Sequence, residues 1–343
     1  MKYLKFLPAA AFLALALAAS AGATDDNHFW LGADISGTTD DESHGYFSRN
    51  AAGDTVENTL LMKQLGLDAV RLRVWVNPKH GFSSKEDVLE MARRAKQHDM
   101  AIMIDFHYSD WWADPGHQNQ PAAWAAMEYP EMKRALADHT RETLQLLRDN
   151  GIDVRWVQVG NETSNGFLWP MGHTDNMVLY SGFTAAGYDA VKEVYPDATV
   201  IVHLDNGFDF ELYERVFGGL KQYGGKWDMI GMSLYPYWTM QGNPDYTEEL
   251  TIKNCTENMR RVSRHYGCPV MLVETGYEAA RPEEGKAYMA RLIDAMKHET
   301  DGACRGVFYW APETCRGGYA LGAFKDGQPT AIMEAFTEAS KQP

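Results

Sequence analysis

Eight short runs, each nearly continuous in apolar and β-branched residues, recur along the chain. They are WLGADIS from Trp30, AVRLRVWV from Ala69, AIMIDFHY from Ala101, RWVQVGNE from Arg155, TVIVHLDNG from Thr199, MIGMSLYP from Met229, VMLVETG from Val270 and GVFYWAP from Gly306. Strands that bury both faces read this way, because no polar residue has to alternate with the apolar ones. After each run comes a segment with apolar residues at three-to-four spacing. These segments cover 56–66, 84–100, 131–151, 176–196, 210–223, 247–267, 284–299 and 331–341, and several stop at Gly or just before Pro, as helices do. Eight strands alternating with eight helices predict an α/β fold, a single (β/α)8 barrel. The competing doubly wound sheet would carry a G-x-G-x-x-G turn after its first strand, and none follows ADIS. No linker, low-complexity tract or short repeat divides the chain.

The chain before the first run is different. MKYLKFLPAAAFLALALAASAGA has lysines at 2 and 5, an apolar stretch from Phe6 to Ala19 and a small-residue site ending at Ala23. That order predicts a cleaved signal peptide over 1–23 and a barrel domain over 24–343. The apolar stretch falls short of the roughly 20 residues that span a bilayer. Export to the periplasm or the extracellular medium is expected. Charge narrows the partners. With 32 basic and 47 acidic residues the net charge is −15, which repels nucleic acid and anionic membranes and suits a neutral partner; simple solubility would explain the charge equally well. The cysteines, Cys255, Cys268, Cys304 and Cys315, show no C-x-x-C spacing. Two disulfides in any of three pairings, or reduced buried thiols, are open to them.

Barrel chemistry sits at the C-terminal ends of the strands. There the runs become polar or aromatic: Asp34, Arg71 and Arg73, Asp105 and His107, Asn161 and Glu162, His203 and Asp205, Tyr235, Glu274, and Trp310. The fourth run ends in QVGNE and the seventh in VET, so each sends a carboxylate out of an apolar stretch. Two carboxyls across a barrel mouth are the equipment for glycoside cleavage: one protonates the leaving oxygen, the other stays ionised and attacks the anomeric carbon. Taken singly, Glu162 reads as a structural hydrogen bonder and Glu274 as an ion-pair partner of Arg71 or Arg73. Taken with the other strand ends, the catalytic pair is the stronger reading. Asp105, His107, His203 and Asp205 could be imagined as metal ligands, but the first run ends ADIS rather than in a His-x-His pair, so no catalytic metal is expected.

The longer strings GADIS, RLRVW, DFHYSDWWADPGHQNQPAAW, VQVGNET with GFLWP, HLDNG, SLYPYW and VETGY together resemble the arabinogalactan endo-β-1,4-galactanases of glycoside hydrolase family 53. The resemblance runs from Gly32 to about Trp310. It implies a retaining, cofactor-independent hydrolase of β-1,4-galactan, with Glu162 as acid/base and Glu274 as nucleophile. It further implies that Asn161 binds the sugar 2-OH, that Tyr235 holds the nucleophile and that Arg73 keeps Glu274 ionised. His107 would touch substrate, with Asp105 behind it. Trp111 or Trp112 would offer an aromatic face to a sugar, and Trp169, Trp238 and Trp310 are further candidates; Asp114, Pro115 and Gln118 would shape the loop, while Trp124 packs. Trp111 stands where the family string has a smaller or different residue. After VETGY the chain runs EAARPEEG, without the expected aromatic, and the loop is short. Some members carry calcium in long late loops; no acidic cluster stands there, and a structural calcium is left open. A monomer acting on a neutral polysaccharide is expected. A related barrel hydrolase for mannan or xylan, or an inactive sugar-binding barrel, are the alternatives.

Overall fold

The structure, a computed structural model, describes residues 28–313 and 319–342. The expected signal peptide and Cys315 lie outside the described residues. Eight parallel strands close into a barrel in chain order: β1 (Trp30–Asp34), β2 (Ala69–Val74), β3 (Ala101–Phe106), β4 (Trp156–Val159), β5 (Thr199–Leu204), β6 (Met229–Leu234), β7 (Val270–Thr275) and β8 (Cys304–Trp310). β8 pairs with β1 and completes the ring. The expected barrel is what forms. The helices after the strands are Asn58–Gln64, Lys85–Gln97, Tyr129–Asp149, Met177–Val194, Phe210–Gln222, Glu248–Tyr266, Pro282–His298 and Ala331–Ala339. The third starts two residues earlier than its apolar periodicity indicates, because Glu131 reaches back to accept the Glu128 N–H at 3.2 Å and Pro130 tolerates the first turn. Two short helices, Thr38–Ser43 and Pro236–Gly242, were not legible as separate elements.

Strand alternation explains the layers. Val70, Leu72, Ile102, Ile104, Val157, Val200, Val202 and Val307 face the helices and join the large outer core. The inward residues near the N-terminal ends form a second core of Ala69, Met103, Trp156, Ile201, Met229, Met271, Val273 and Phe308. Gly32 makes room for it: a Cβ there would lie 2.3 Å from the Phe308 ring. Nearer the C-terminal ends the same inward rows turn polar, with Asp34, Arg71, Arg73, Asp105, Gln158, His203 and Ser233 all buried. The apolar floor therefore plugs the barrel, and the polar layer above it carries the chemistry.

One irregularity re-aims a site residue. Val270 and Leu272 belong to the outer core, so strict alternation would point Glu274 outward as well. The register between β6 and β7 instead moves from Met232↔Leu272 to Ser233↔Glu274, skipping Val273. The extra residue is a bulge, which reverses the facing of everything after it. Val273 joins the inner core, and Glu274 turns into the barrel mouth.

Among the described residues no disulfide joins the cysteines; Cys255 and Cys304 are buried thiols and Cys268 is half-buried. No helix among the described residues is long and apolar enough to cross a membrane.

Candidate active site

Arg71 is the centre of the polar layer. It is fully buried, and a buried guanidinium persists only if its donors are matched. Nη1 meets Asp34 Oδ2 at 2.7 Å, Nη2 meets Asp105 Oδ2 and Glu274 Oε1 at 2.9 Å each, Nε donates to Gln158 Oε1 at 2.9 Å, and Nη2 also donates to Asn161 Oδ1 at 2.7 Å. Three carboxylates hold its pKa above the ordinary arginine value despite burial. Burial alone would push Asp105 up, but Arg71 and then His107 at 3.0 Å bring it down to about 2.

The cation beside Glu274 is thus Arg71, and the expectation that Arg73 fills this place is corrected. Both arginines point inward from β2. Arg73 stands one inward position nearer the mouth, and its guanidinium lies over aromatic faces instead, 3.9 Å from the Trp112 ring centre and 4.8 Å from that of Trp75. Its contribution is cation–π anchoring of the Trp112 loop.

Glu274 also accepts the Tyr235 O–H at 3.0 Å, as expected. Burial, with the Asp105 and Asp34 charges, raises its pKa to about 7, and Arg71 and Tyr235 offset part of that rise in favour of the ionised form. Glu162 sits differently. It follows Gly160, whose φ of +90° leaves a Cβ no space beside Thr163, and takes a φ of +46° itself. A left-handed non-glycine residue is strained, and such strain collects at functional sites; here the turn aims the carboxyl across the mouth. Burial first, then the Glu274 charge, then the Asp205 charge push its pKa well above the ordinary range. Among the described residues Glu162 has no cation at ion-pair distance, whereas Glu274 has Arg71 at 2.9 Å. The two titrate as a pair, and the first proton leaves Glu274.

Both carboxyls face one cleft of about 530 Å³. His107, Trp112, Asn161, Asp205, Tyr235 and Trp310 from the expected set line it as well. Asp34, Asp105 and His203 do not reach the cleft wall; buried beneath it, they hold the groups that do. Trp111 is a correction: it is 54% exposed and outside the lining, and its ring packs 4.9 Å from that of Trp75. Its neighbour Trp112 turns inward, lining the cleft with its ring under Arg73. Trp238 lines the cleft and is 53% exposed; Trp169 does not line it, and Trp124 is buried packing as expected. Gln118 is buried and donates to the Asn161 carbonyl at 2.7 Å, which ties the loop after β3 to that after β4. Four residues escaped the sequence reading: Gln158, Ser233, Asn206 and Tyr319. Gln158 and Ser233 carry the signal of polar side chains at inward positions of apolar strands; Tyr319, whose ring lies 4.8 Å from that of Trp310, carries none. No cluster of His, Cys, Asp or Glu suited to a metal ion occurs among the described residues.

A model of glycosyl hydrolase family 53 matches residues 30–342. The chain belongs to glycosyl hydrolase family 53. A probable arabinogalactan endo-β-1,4-galactanase A of Aspergillus fumigatus is 31% identical over 82% of this chain and 83% of its own length. The arabinogalactan endo-β-1,4-galactanase A of Aspergillus niger is 29% identical over 87% and 88%. Among solved structures, a fungal β-1,4-galactanase superposes with a TM-score of 0.81 at 26% identity, covering 90% of this chain and 99% of that one. The family 53 catalytic domain of Ignisphaera aggregans gives 0.80 at 26%, covering 92% and 96%. An exo-β-1,4-mannosidase at 16% identity, with a TM-score of 0.68, shares the fold alone. The family 53 resemblance read from the strand-end strings is borne out, and with it a glycosyl hydrolase on a (β/α)8 barrel.

Proposed function

We propose that this family 53 protein is an endo-β-1,4-galactanase that cleaves galactan and arabinogalactan chains with retention. One observation carries the reading: two carboxyls in one cleft, one at 2.9 Å from a buried guanidinium and the other with no ion-pair partner among the described residues. Glu274, kept ionised by Arg71 and aimed by Tyr235, attacks the anomeric carbon and forms a galactosyl-enzyme. Glu162, kept protonated, gives its proton to the leaving oxygen and then, as base, takes one from the water that releases the sugar. Asn161, next to Glu162 in the chain and bonded to Arg71, serves the 2-OH. The open, aromatic-edged cleft suits attack within a chain, with Trp112, Trp238 and Trp310 offering planes to the C–H faces of sugars. The reaction needs no cofactor. The protein acts as an exported monomer, with residues 24–343 as one catalytic domain, and its acidic surface favours a neutral polysaccharide over nucleic acid or membrane.

Replacing Glu162 by Ala should lower kcat/KM on galactan by about 10²–10⁴-fold, the usual contribution of a general acid. An aryl β-galactobioside with a good leaving group should keep most of its glycosylation rate, since it needs no protonation. Equal losses on both substrates would remove the acid role from Glu162.

The basic limb of the kcat/KM profile reports the proton on Glu162. Asp205 raises that pKa through its charge. Asp205→Asn should therefore move the basic limb to lower pH; a profile unchanged or moved upward would show that Asp205 does not act on Glu162.

A further inference from the structure

Beneath the cleft lies a buried histidine that the steps above do not use. His203, inward on β5, has no exposed surface. Its Nε2 lies 2.7 Å from Ser233 Oγ on β6, and the Ser233 hydroxyl lies close enough to the Glu162 carboxyl to favour its ionised form. A hydroxyl has one proton to donate. If that proton goes to Glu162, the ring nitrogen facing Ser233 must be the donor, and Nδ1 must accept. Two donors face Nδ1: the Glu162 backbone N–H at 3.3 Å and Gln158 Nε2 at 3.2 Å. Gln158 cannot turn round, because its Oε1 takes the Arg71 Nε–H and its Nε2 gives to Asp105 at 2.9 Å. Asn161 Oδ1 also lies 3.0 Å from Nδ1 and accepts from Arg71. The charged and titratable groups around the ring are Arg71 on β2, Asp105 and His107 on β3, Glu162 after β4, Asp205 after β5 and Glu274 on β7. Burial first, then Arg71, keep His203 far below its ordinary pKa, so it remains an uncharged imidazole with one N–H.

We propose that His203 and Ser233 are positioning residues for the acid/base: the neutral imidazole holds the Glu162 main chain through Nδ1 and, through the Ser233 hydroxyl, its carboxyl. The inference rests on Glu162 being the acid. The ring thereby clamps one residue at two points, which suits a residue in a strained left-handed turn. The same contacts link the two halves of the site. Ser233 pairs in register with Glu274, and Gln158 joins the ring to Arg71, which holds Glu274.

The test compares Ser233→Ala, Ser233→Thr and His203→Gln with Glu162→Ala, after thermal unfolding has shown each to be folded. The Ser233 hydroxyl stabilises the ionised carboxyl, so its loss raises the Glu162 pKa. Ser233→Ala and His203→Gln should move the basic limb of kcat/KM to higher pH and lower kcat on galactan by about 10-fold or more, with KM little changed. Hydrolysis of an aryl β-galactobioside with a good leaving group should fall by less than about 3-fold. Ser233→Thr, which keeps the hydroxyl, should restore the limb. Equal losses on both substrates with an unmoved limb would overturn the proposal. If Glu162→Ala itself shows equal losses on both substrates, the acid assignment falls and this inference falls with it; if only the Ser233 and His203 variants do so, the acid assignment stands alone.

Discussion

Glu274→Gln is expected to lose about 10³-fold or more of kcat on galactan, roughly 4 kcal/mol of barrier, while the protein stays folded and still binds galacto-oligosaccharides. The amide cannot act as a nucleophile, and the neighbouring carboxylates are engaged elsewhere. Asp34 and Asp105 are held beneath the cleft by Arg71 and their other partners, Asp205 accepts hydrogen bonds from Ser164 and Asn206, and Glu162 is needed as the acid. Folding survives for a definite reason: without the Glu274 charge, Arg71 keeps two carboxylate partners and its bonds to Gln158 and Asn161. The buried cation is therefore not orphaned. Calorimetric titration of the variant with a galacto-oligosaccharide, beside its turnover, separates the two effects. Near-normal turnover would remove the nucleophile role, and loss of binding together with turnover would make Glu274 a structural residue.

Arg71→Met should produce a large loss of stability. It leaves Asp34, Asp105 and Glu274 buried without their cation, and breaking a buried ion cluster by removing one partner costs about 3–5 kcal/mol. The loss should depend on pH. Asp105 has a folded pKa of about 2, depressed below the ordinary Asp value. Its stabilising contribution is therefore complete above the unfolded pKa of roughly 4 and disappears as the pH falls through the folded value. The gap between wild type and Arg71→Met should be widest at neutral pH and narrow between about pH 4 and pH 2. Denaturant unfolding of both proteins across that range measures it. A gap of less than about 0.5 kcal/mol at neutral pH, the size of an ordinary surface change, would mean that the cluster does not hold the barrel mouth together.

The sequence made the barrel legible because parallel strands buried on both faces need continuous apolar runs, and each amphipathic segment buries only one stripe against them. The catalytic pair was legible for a related reason. An apolar strand that ends in a carboxylate has no packing use for it. What the runs could not reveal was direction. Arg71 and Arg73 share a face of β2, and nothing in RLRVW says which reaches Glu274; the answer depends on the depth at which Asp34, Asp105 and Glu274 converge. The bulge at Val273 is equally silent in VMLVET, although without it Glu274 would face the helices. Trp111 and Trp112 are alike in a string, yet one packs outside the cleft and the other lines it over Arg73. Tyr319 comes to the site through chain closure alone. Ser233 and His203 were readable as inward polar residues, but their pairing with each other needed the neighbouring strands in place.

Product analysis on β-1,4-galactan, β-1,3-galactan, β-mannan and xylan tests the central claim most directly. The account predicts short oligosaccharides from β-1,4-galactan alone, released from within the chain and carrying the β-anomer when first formed. Products from mannan or xylan instead would contradict the substrate assignment, and the α-anomer, or binding without any cleavage, would contradict the double-displacement mechanism drawn from Glu162 and Glu274.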